Sequence, residues 1–435
     1  MQKRFEERRR MEGIRGPVIA GVDTHKKEHA LCLLDGWGRK VFEGFFPASE
    51  RGYAAIAEAI GEPEGCAVVG IECTMTYGAG LSRHLVSKGY NVVEVLNPEK
   101  KKRRPGENKN DLEDAERAAR AAIAGEHTST PKAGDGWVEA LRCLTAARRA
   151  AVKASTAAVN AAKGLLVSAP EHVRKQYGKM GNAEMMASLS RKRTKKDLVE
   201  EGLFAALRNL ALMWTECQKQ AGEAEARMEA ILKDNAPALL AIDGCGVLTA
   251  SALAVAAGDN PERMGPKHSF AALCGVSPVD ASTGDVKRHR LNRGGNRQAN
   301  CALYQIVFSR MRHDERTRAY MAKRKAEGKS RRETIRCLKR YVANEVYRAL
   351  LNPKDVPEPK GPALRELRIS LGLAQLEVAP LLHVSQAKVS AIERTVTRSP
   401  RLERQYEEVL KQLAAQDDPV GYARAAAATN STKTS

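Results

Sequence analysis

Aromatic residues are scarce in this chain, 5% of 435 positions, so rows of base-stacking platforms are not its main means of recognition. Paired cysteines are lacking as well. Cys32, Cys66, Cys73, Cys143, Cys217, Cys245, Cys274, Cys301 and Cys337 are odd in number, and no two form a C-x-x-C pair. That excludes a zinc ribbon and a disulfide framework and points to reduced thiols. No apolar run reaches the length of a bilayer span, and Met1 to Arg10 is charged without the apolar core of a signal peptide. The expectation is a cytoplasmic protein with no membrane contact.

What the chain has in excess is positive charge: 72 Lys and Arg against 52 Asp and Glu, a formal +20. Such an excess fits a polyanionic partner, most often nucleic acid, held by phosphate neutralisation. The length predicts about two to four domains.

Residues 17–130 alternate strand and helix signals. Apolar runs at Pro17 to Asp23, Glu28 to Asp35, Lys40 to Phe46, Cys66 to Glu72 and Asn91 to Leu96 read as strands. Ser49 to Ile60, Tyr77 to Lys88 and the alanine-rich run Glu116 to Ala124, opened by the stretch Lys109 to Ala115, read as helices. The order predicts a mixed sheet with helices on its faces, and sites in such sheets gather at strand carboxyl ends. Asp23 and Glu72 each close an apolar strand. Asp111 and Asp114 project from one face of the third helix near its N-terminus. Four carboxylates in this arrangement suit Mg²⁺, which takes carboxylate oxygens and can clamp a scissile phosphate. The basic loop ahead of that helix, Lys100, Lys101, Lys102, Arg103 and Arg104, is placed to meet backbone phosphates.

Residues 131–236 read as long helices, an antiparallel coiled coil serving as spacer or oligomerisation arm, with a basic insert near Arg191 to Lys196. The region 237–352 opens on a helix, a turn with Gly244 and Gly246, and a second helix, a hairpin able to present amides to a phosphate. It continues through Ser282, Thr283 and Gly284 into a basic, glycine-rich block with Lys287, Arg288, Arg290, Arg293, Asn296 and Arg297. A hydroxyl nucleophile at phosphorus needs cationic support of that kind.

Asp23, Glu72, the Asp111-x-x-Asp114 pair and the block from Ala281-Ser-Thr-Gly284 to Arg293-Gly-Gly-Asn296 together resemble the DEDD transposases of bacterial insertion sequences, over about residues 17–350. The resemblance implies an α/β ribonuclease-H/resolvase-like domain at 17–130, a coiled-coil linker at 131–236 and an all-α transposase domain at 237–352. It also implies a recombinase guided by a noncoding bridge RNA, Mg²⁺ on the four acids, and a serine that forms a transient phosphoserine link to DNA. Ser282 is the expected nucleophile, with Thr283 the alternative. Family members act as oligomers, so a dimer or tetramer working on target and donor DNA, near the nucleoid, is expected.

Beyond a basic extension (1–16) and a Pro-rich linker (353–362), residues 363–415 resemble a phage-repressor helix-turn-helix. Gln375 opens its second helix, and Gln386 and Lys388 lie at the start of its recognition helix. Pro380 is expected to disrupt the second helix. Residues 416–435 read as a disordered tail. The rival readings are an Mg²⁺-dependent junction endonuclease that hydrolyses with water, and a catalytically inactive DNA-binding regulator.

Overall fold

The structure is a computed structural model and describes residues 16–96, 110–125, 127–192, 197–280, 289–290, 292, 294–356, 360–395 and 400–431. It divides into two compact units, Met1–Glu139 with Ala257–Ser269, and Ala140–Ala256 with Phe270–Ser435.

The first unit is built on a six-stranded mixed sheet ordered β3-β2-β1-β4-β5-β6. Its strands are β1 (Val18–Thr24), β2 (Glu28–Leu34), β3 (Lys40–Pro47), β4 (Cys66–Ile71), β5 (Val92–Val95) and β6 (Thr128–Ser129). β1, β4 and β5 run parallel; β2 and β3 form an antiparallel meander on one side, and β6 returns antiparallel on the other. The apolar alternation of β1 divides the core. Val18, Ala20 and Val22 pack with Ile56, Ile60, Leu81 and Leu85 of α1 (Glu50–Ile60) and α2 (Ala79–Ser87). Ile19 joins the opposite layer, where α3 (Asp111–Ala124) buries Ala115, Ala118, Ala119 and Ala122. Ser49 caps α1 as expected, accepting the Gly52 N–H at 3.3 Å.

Two glycines set how closely α3 approaches. A Cβ on Gly21 would lie closer than 3.0 Å to Ala115 O and Ala119 N, and one on Gly70 would lie 2.6 Å from Ala118 O. The helix therefore rests its alanine face directly on the backbones of β1 and β4.

The compact unit extends beyond residue 130. Residues 131–139 and 257–269 belong with the sheet domain. Asp259 Oδ1 accepts the Val138 N–H at 2.9 Å, Asn260 bonds both Ala133 N–H and Pro131 O, and Arg263 donates to Thr130 O at 2.7 Å. These are polar contacts between irregular segments, which leave no hydrophobic period in the sequence.

The second unit takes up α4 (Trp137–Val167) from Ala140 on, and α4 and α7 (Leu198–Asn235) are the long helices expected, with α5 (Glu171–Tyr177) and α6 (Asn182–Leu189) between them. Arg148 pairs with Glu225 at 3.1 Å, while Ala158 to Leu166 share a core with Phe204, Leu207 and Ala211, so the two run antiparallel. α8 (Pro237–Leu240), α9 (Val247–Ala257), α10 (Lys267–Leu273), the short pair β7 (Val279–Asp280) and β8 (His289–Arg290), then α11 (Arg297–His313), α12 (Glu315–Ala326) and α13 (Arg331–Leu351) follow. Among them α11 and α13 bury Leu303, Ile306, Leu338, Val342 and Val346.

The C-terminal helices α14 (Gly361–Ser370), α15 (Gln375–Val378), α16 (Gln386–Glu393), α17 (Pro400–Ala414) and α18 (Pro419–Ser431) share a small core containing Leu364, Val378, Val389, Ile392, Tyr406 and Leu410. α15 stops two residues before Pro380, consistent with proline's missing donor. Within the stretch read as a disordered tail, 416–435, α18 occupies 419–431, opens on Pro419, buries Ala423, and ties Arg424 to Glu377 at 2.7 Å, while 432–435 lie outside the described residues. Alanine-rich sequence has the best intrinsic helix propensity, and the buried contact supplies what propensity alone does not. Deleting residues 419–435 is expected to lower the stability of this module by ~1–3 kcal/mol, read as accelerated amide exchange across α15 and α17; unchanged exchange would show the helix to be dispensable.

Candidate active site

The register of one strand on one helix builds the site. Along β1, Ile19 and Gly21 face α3, alternation continues that face to Asp23, and His25 follows directly after the strand end. Along α3, Ala119 and Ala115 lie on Gly21, and one turn earlier the same stripe reaches Asp111. Asp23 and Asp111 are thereby brought to one edge. His25 Nε2 lies between them, 3.2 Å from Asp23 Oδ2 and 3.1 Å from Asp111 Oδ2. Donor atoms of Asp23, His25 and Asp111 all fall within 4.8 Å of one another.

The second pair of acids follows the same logic one strand over. Gly70 of β4 receives Ala118 of α3, so Glu72, two residues on, belongs to the face beneath α3, while Asp114 lies one turn before Ala118. Two bonds tie the Glu72 backbone to β1: its N–H donates to Val22 O at 3.2 Å, and Thr24 Oγ1 donates to its carbonyl at 3.0 Å. Cys73, directly after it, holds φ at 56°, a left-handed conformation uncommon for a non-glycine residue. Asp114 is paired with Arg117. Glu72 and Asp114 stand outside the Asp23–His25–Asp111 group. The arrangement thus joins two of the four expected acids directly.

His25 was not among the residues singled out by sequence. Its signal was the spacing Asp23-x-His25 at a strand end. Its neighbour His29 is fully buried, stacked on Tyr53 with ring centroids 5.7 Å apart; burial holds its pKa below the ordinary value, which keeps it neutral. Two carboxylates and one imidazole at these distances form a donor set that fits a divalent cation.

The other expected residues are distributed differently. Gly244 and Gly246 lie in the turn before α9, Gly244 at φ 80°. Arg310 Nε donates to Asp243 O at 2.8 Å and the Arg310 guanidinium grips Glu345, while His313 contacts Asp243 at 3.1 Å, which fixes the turn against α11. A cavity of about 560 Å³ opens beside it, lined by Asp243, Arg310, Arg316, Arg348 and Arg404 among others. Arg290 and Arg297 are exposed, whereas Asn296 uses its side-chain oxygen to cap α11, accepting from Gln298 and Ala299 N–H. Ser385 caps α16, leaving Gln386 exposed and Lys388 half-buried. Lys100, Lys101, Lys102, Arg103, Arg104, Ser282, Thr283, Lys287, Arg288 and Arg293 lie outside the described residues.

With sheet, acids and hairpin in place, the chain can be compared with known proteins. Residues 20–169 match a family model described as a transposase of the DEDD type found in IS110, and residues 236–322 match the transposase family IS116/IS110/IS902. The chain therefore carries the two domains of an insertion-sequence transposase, a class of enzyme that cleaves and transfers DNA strands. Within that class its domains are those of the IS110 family. It is also 25% identical, over 399 residues, to the uncharacterized 43.6 kDa protein of insertion element IS110 from Streptomyces coelicolor, a match covering 80% of this chain and 98% of the relative. The mixed sheet with its acidic edge is consistent with a ribonuclease-H-like transposase, and the Asp23–His25–Asp111 group with the divalent metal such domains use. Among the described residues no helix is long and apolar enough to cross a membrane.

Proposed function

We propose that this protein is the recombinase of its insertion sequence, cutting and rejoining DNA strands through a phosphoserine intermediate under the direction of a noncoding bridge RNA. The observation that carries the reading is the meeting of Asp23 and Asp111 at the carboxyl end of β1, in a chain with both family domains. Asp23, Asp111 and His25 would hold Mg²⁺ or a similar divalent ion, with Glu72 and Asp114 completing its surroundings. The ion supplies charge neutralisation at phosphate oxygens.

Ser282 is the proposed nucleophile. Its Oγ attacks phosphorus, one Ser–O–P bond forms as one DNA P–O bond breaks, and the departing DNA oxygen takes up a proton. The ester is conserved, so a DNA hydroxyl can later attack the phosphoserine and reseal the strand without an external energy source. Lys287, Arg288, Arg290, Arg293 and Arg297 would neutralise the developing charge, and the turn at Gly244 and Gly246 would hold a neighbouring phosphate. The basic loop at 100–104 would guide the strand backbone. The C-terminal module, with Gln386 and Lys388 at the start of α16, is read as an added DNA-binding helix-turn-helix. Assembly as a dimer or tetramer, with donor and target DNA held together, completes the reading.

The test uses the full-length protein expressed with its element and incubated with the element's DNA ends. Wild type is expected to give a covalent protein–DNA adduct, Ser282→Ala none, and Asp23→Asn a loss of about 10²-fold in strand cleavage with DNA still bound. Cleavage without any adduct would replace this mechanism with hydrolysis by water. Sequencing the copurified RNA is expected to return one discrete structured transcript; a heterogeneous mixture would overturn guidance.

A further inference from the structure

The segment that carries Ser282 leaves α10 at Leu273 and returns to α11 at Arg297, and its two ends are held together by contacts that the mechanism above does not use. Asn296 N–H donates to Leu273 O at 2.6 Å. Gly275 and Gly295, at φ 64° and 85°, pack backbone against backbone. A Cβ on Gly275 would meet Gly294 O at 2.5 Å, and one on Gly295 would meet Gly275 N and Leu273 O at 2.6 Å. Farther along, β7 and β8 pair Val279 with Arg290 and Asp280 with His289. Residues 281–288 lie in sequence between those partners.

Across the neck sits Asn300, in the first turns of α11. Its Nδ2 donates to Cys274 O at 2.8 Å and Gly275 O at 3.2 Å, and its Oδ1 accepts from Lys339 Nζ at 2.9 Å. Lys339 reaches it from α13 and is only 8% exposed. The partner of this buried ammonium is an amide rather than a carboxylate, and burial lowers its pKa, with Arg336 pushing the same way. Burying a charge with so little compensation is unfavourable, so an apolar residue there would serve packing alone better. What the lysine adds is direction. An amide can face either way, and a donor fixed at Oδ1 forces Nδ2 toward the two carbonyls.

We propose that Lys339 and Asn300 are positioning residues for strand transfer: the lysine locks the Asn300 amide in the orientation that grips both carbonyls at the neck, and thereby fixes how the serine segment enters and leaves. The inference rests on Ser282 as nucleophile. Asn300→Asp separates it from a purely structural role. The aspartate keeps the Oδ1 acceptor and gives Lys339 a counter-charge, but the donor to Cys274 O and Gly275 O is replaced by an oxygen that repels both carbonyls and opens the neck.

In the full-length protein with its own RNA and DNA ends, Asn300→Asp is expected to slow adduct formation by about 10-fold or more, in folded protein whose DNA affinity is undiminished. Amide exchange at 274–280 and 294–297 should accelerate. Lys339→Met should reproduce both effects, and Lys339→Arg, which keeps a donor, should recover part of the rate. Wild-type adduct rates and wild-type exchange in Asn300→Asp would overturn the proposal. Should wild type itself form no adduct, the serine mechanism fails on its own, and exchange alone decides the clamp: acceleration sustains it and unchanged exchange overturns it.

Discussion

Gly21→Ala is expected to reduce DNA strand cleavage by about 10²-fold or more while the sheet domain remains folded. The added methyl would stand closer than 3.0 Å to Ala115 O and Ala119 N, both backbone atoms of α3, so no side-chain rotation relieves the clash. The helix must lift or slide. Overpacking of this kind costs ~1–3 kcal/mol, which a domain with two apolar layers can survive. Asp111 rides on the same helix one turn away, however, and its carboxylate is held 3.1 Å from His25. A shift of ~1 Å at a reacting centre is enough for a loss of about 10²-fold. Gly70→Ala should act similarly through Ala118 O at 2.6 Å, on the Glu72 and Asp114 side. Gly164→Ala and Gly222→Ala are the controls. Both glycines lie inside long helices with open space around the added carbon, and the change should stabilise by ~0.5–1 kcal/mol with cleavage unchanged. Cleavage rate and melting temperature of the four variants decide the matter; a Gly21→Ala protein that cuts at the wild-type rate would show that α3 does not set the site.

Those two glycines also explain why the acids were legible in the sequence and their geometry was not. Strands β1 to β5 announce themselves because each is an apolar run bounded by turn residues, and an acid closing such a run is visible at once. Where α3 lands on the sheet depends on the absence of side chains at Gly21 and Gly70, and a glycine in a strand signals close approach without naming what approaches. His25 was hidden for that reason. Read alone it is a turn histidine after a strand, and it becomes a bridging group only when Asp111 is set opposite. Asp114 shows the converse, since Arg117 lies three residues on and an i,i+3 pair is predictable from spacing.

The longer-range contacts were illegible in the sequence for a shared reason. The return of residues 257–269 to the sheet domain depends on single hydrogen bonds from Asp259, Asn260 and Arg263, which have no period to detect. α18 was masked by its composition of alanine and small polar residues. What holds it is Ala423 in the module's core and the Arg424–Glu377 pair, each spanning many residues of sequence. Pro380, by contrast, acts locally, and its effect on α15 could be read in place.

Arg368→Met is expected to destabilise the C-terminal module by ~3–5 kcal/mol, the usual cost of removing one partner from a buried ion pair. Arg368 is buried and donates to Glu393 through Nε at 2.6 Å and Nη2 at 3.0 Å, and through Nη1 to Leu373 O at 2.5 Å. Glu393, at the end of α16, also accepts from Gln375 Nε2 at 2.7 Å and Tyr406 Oη at 2.6 Å. One carboxylate thus ties α14, α15, α16 and α17 together. Removing the guanidinium leaves that charge buried against two neutral donors. Burial by itself would raise the Glu393 pKa, but the bonds from Arg368, Tyr406 and Gln375 outweigh it and hold the group below its ordinary 4.5. A depressed folded pKa means stability that is fully present above 4.5 and lost as pH falls through the lowered folded value. The wild-type module should accordingly loosen on acidification below 4.5, followed by amide exchange across residues 361–395. In Arg368→Met burial is opposed by less, the folded pKa rises, and the acid-side loss of stability should shrink or reverse. Replacing both members of the pair by apolar residues of similar volume should restore much of the stability. A single variant as stable as wild type, with an unchanged acid profile, would mean that the apolar core holds the four helices without the pair.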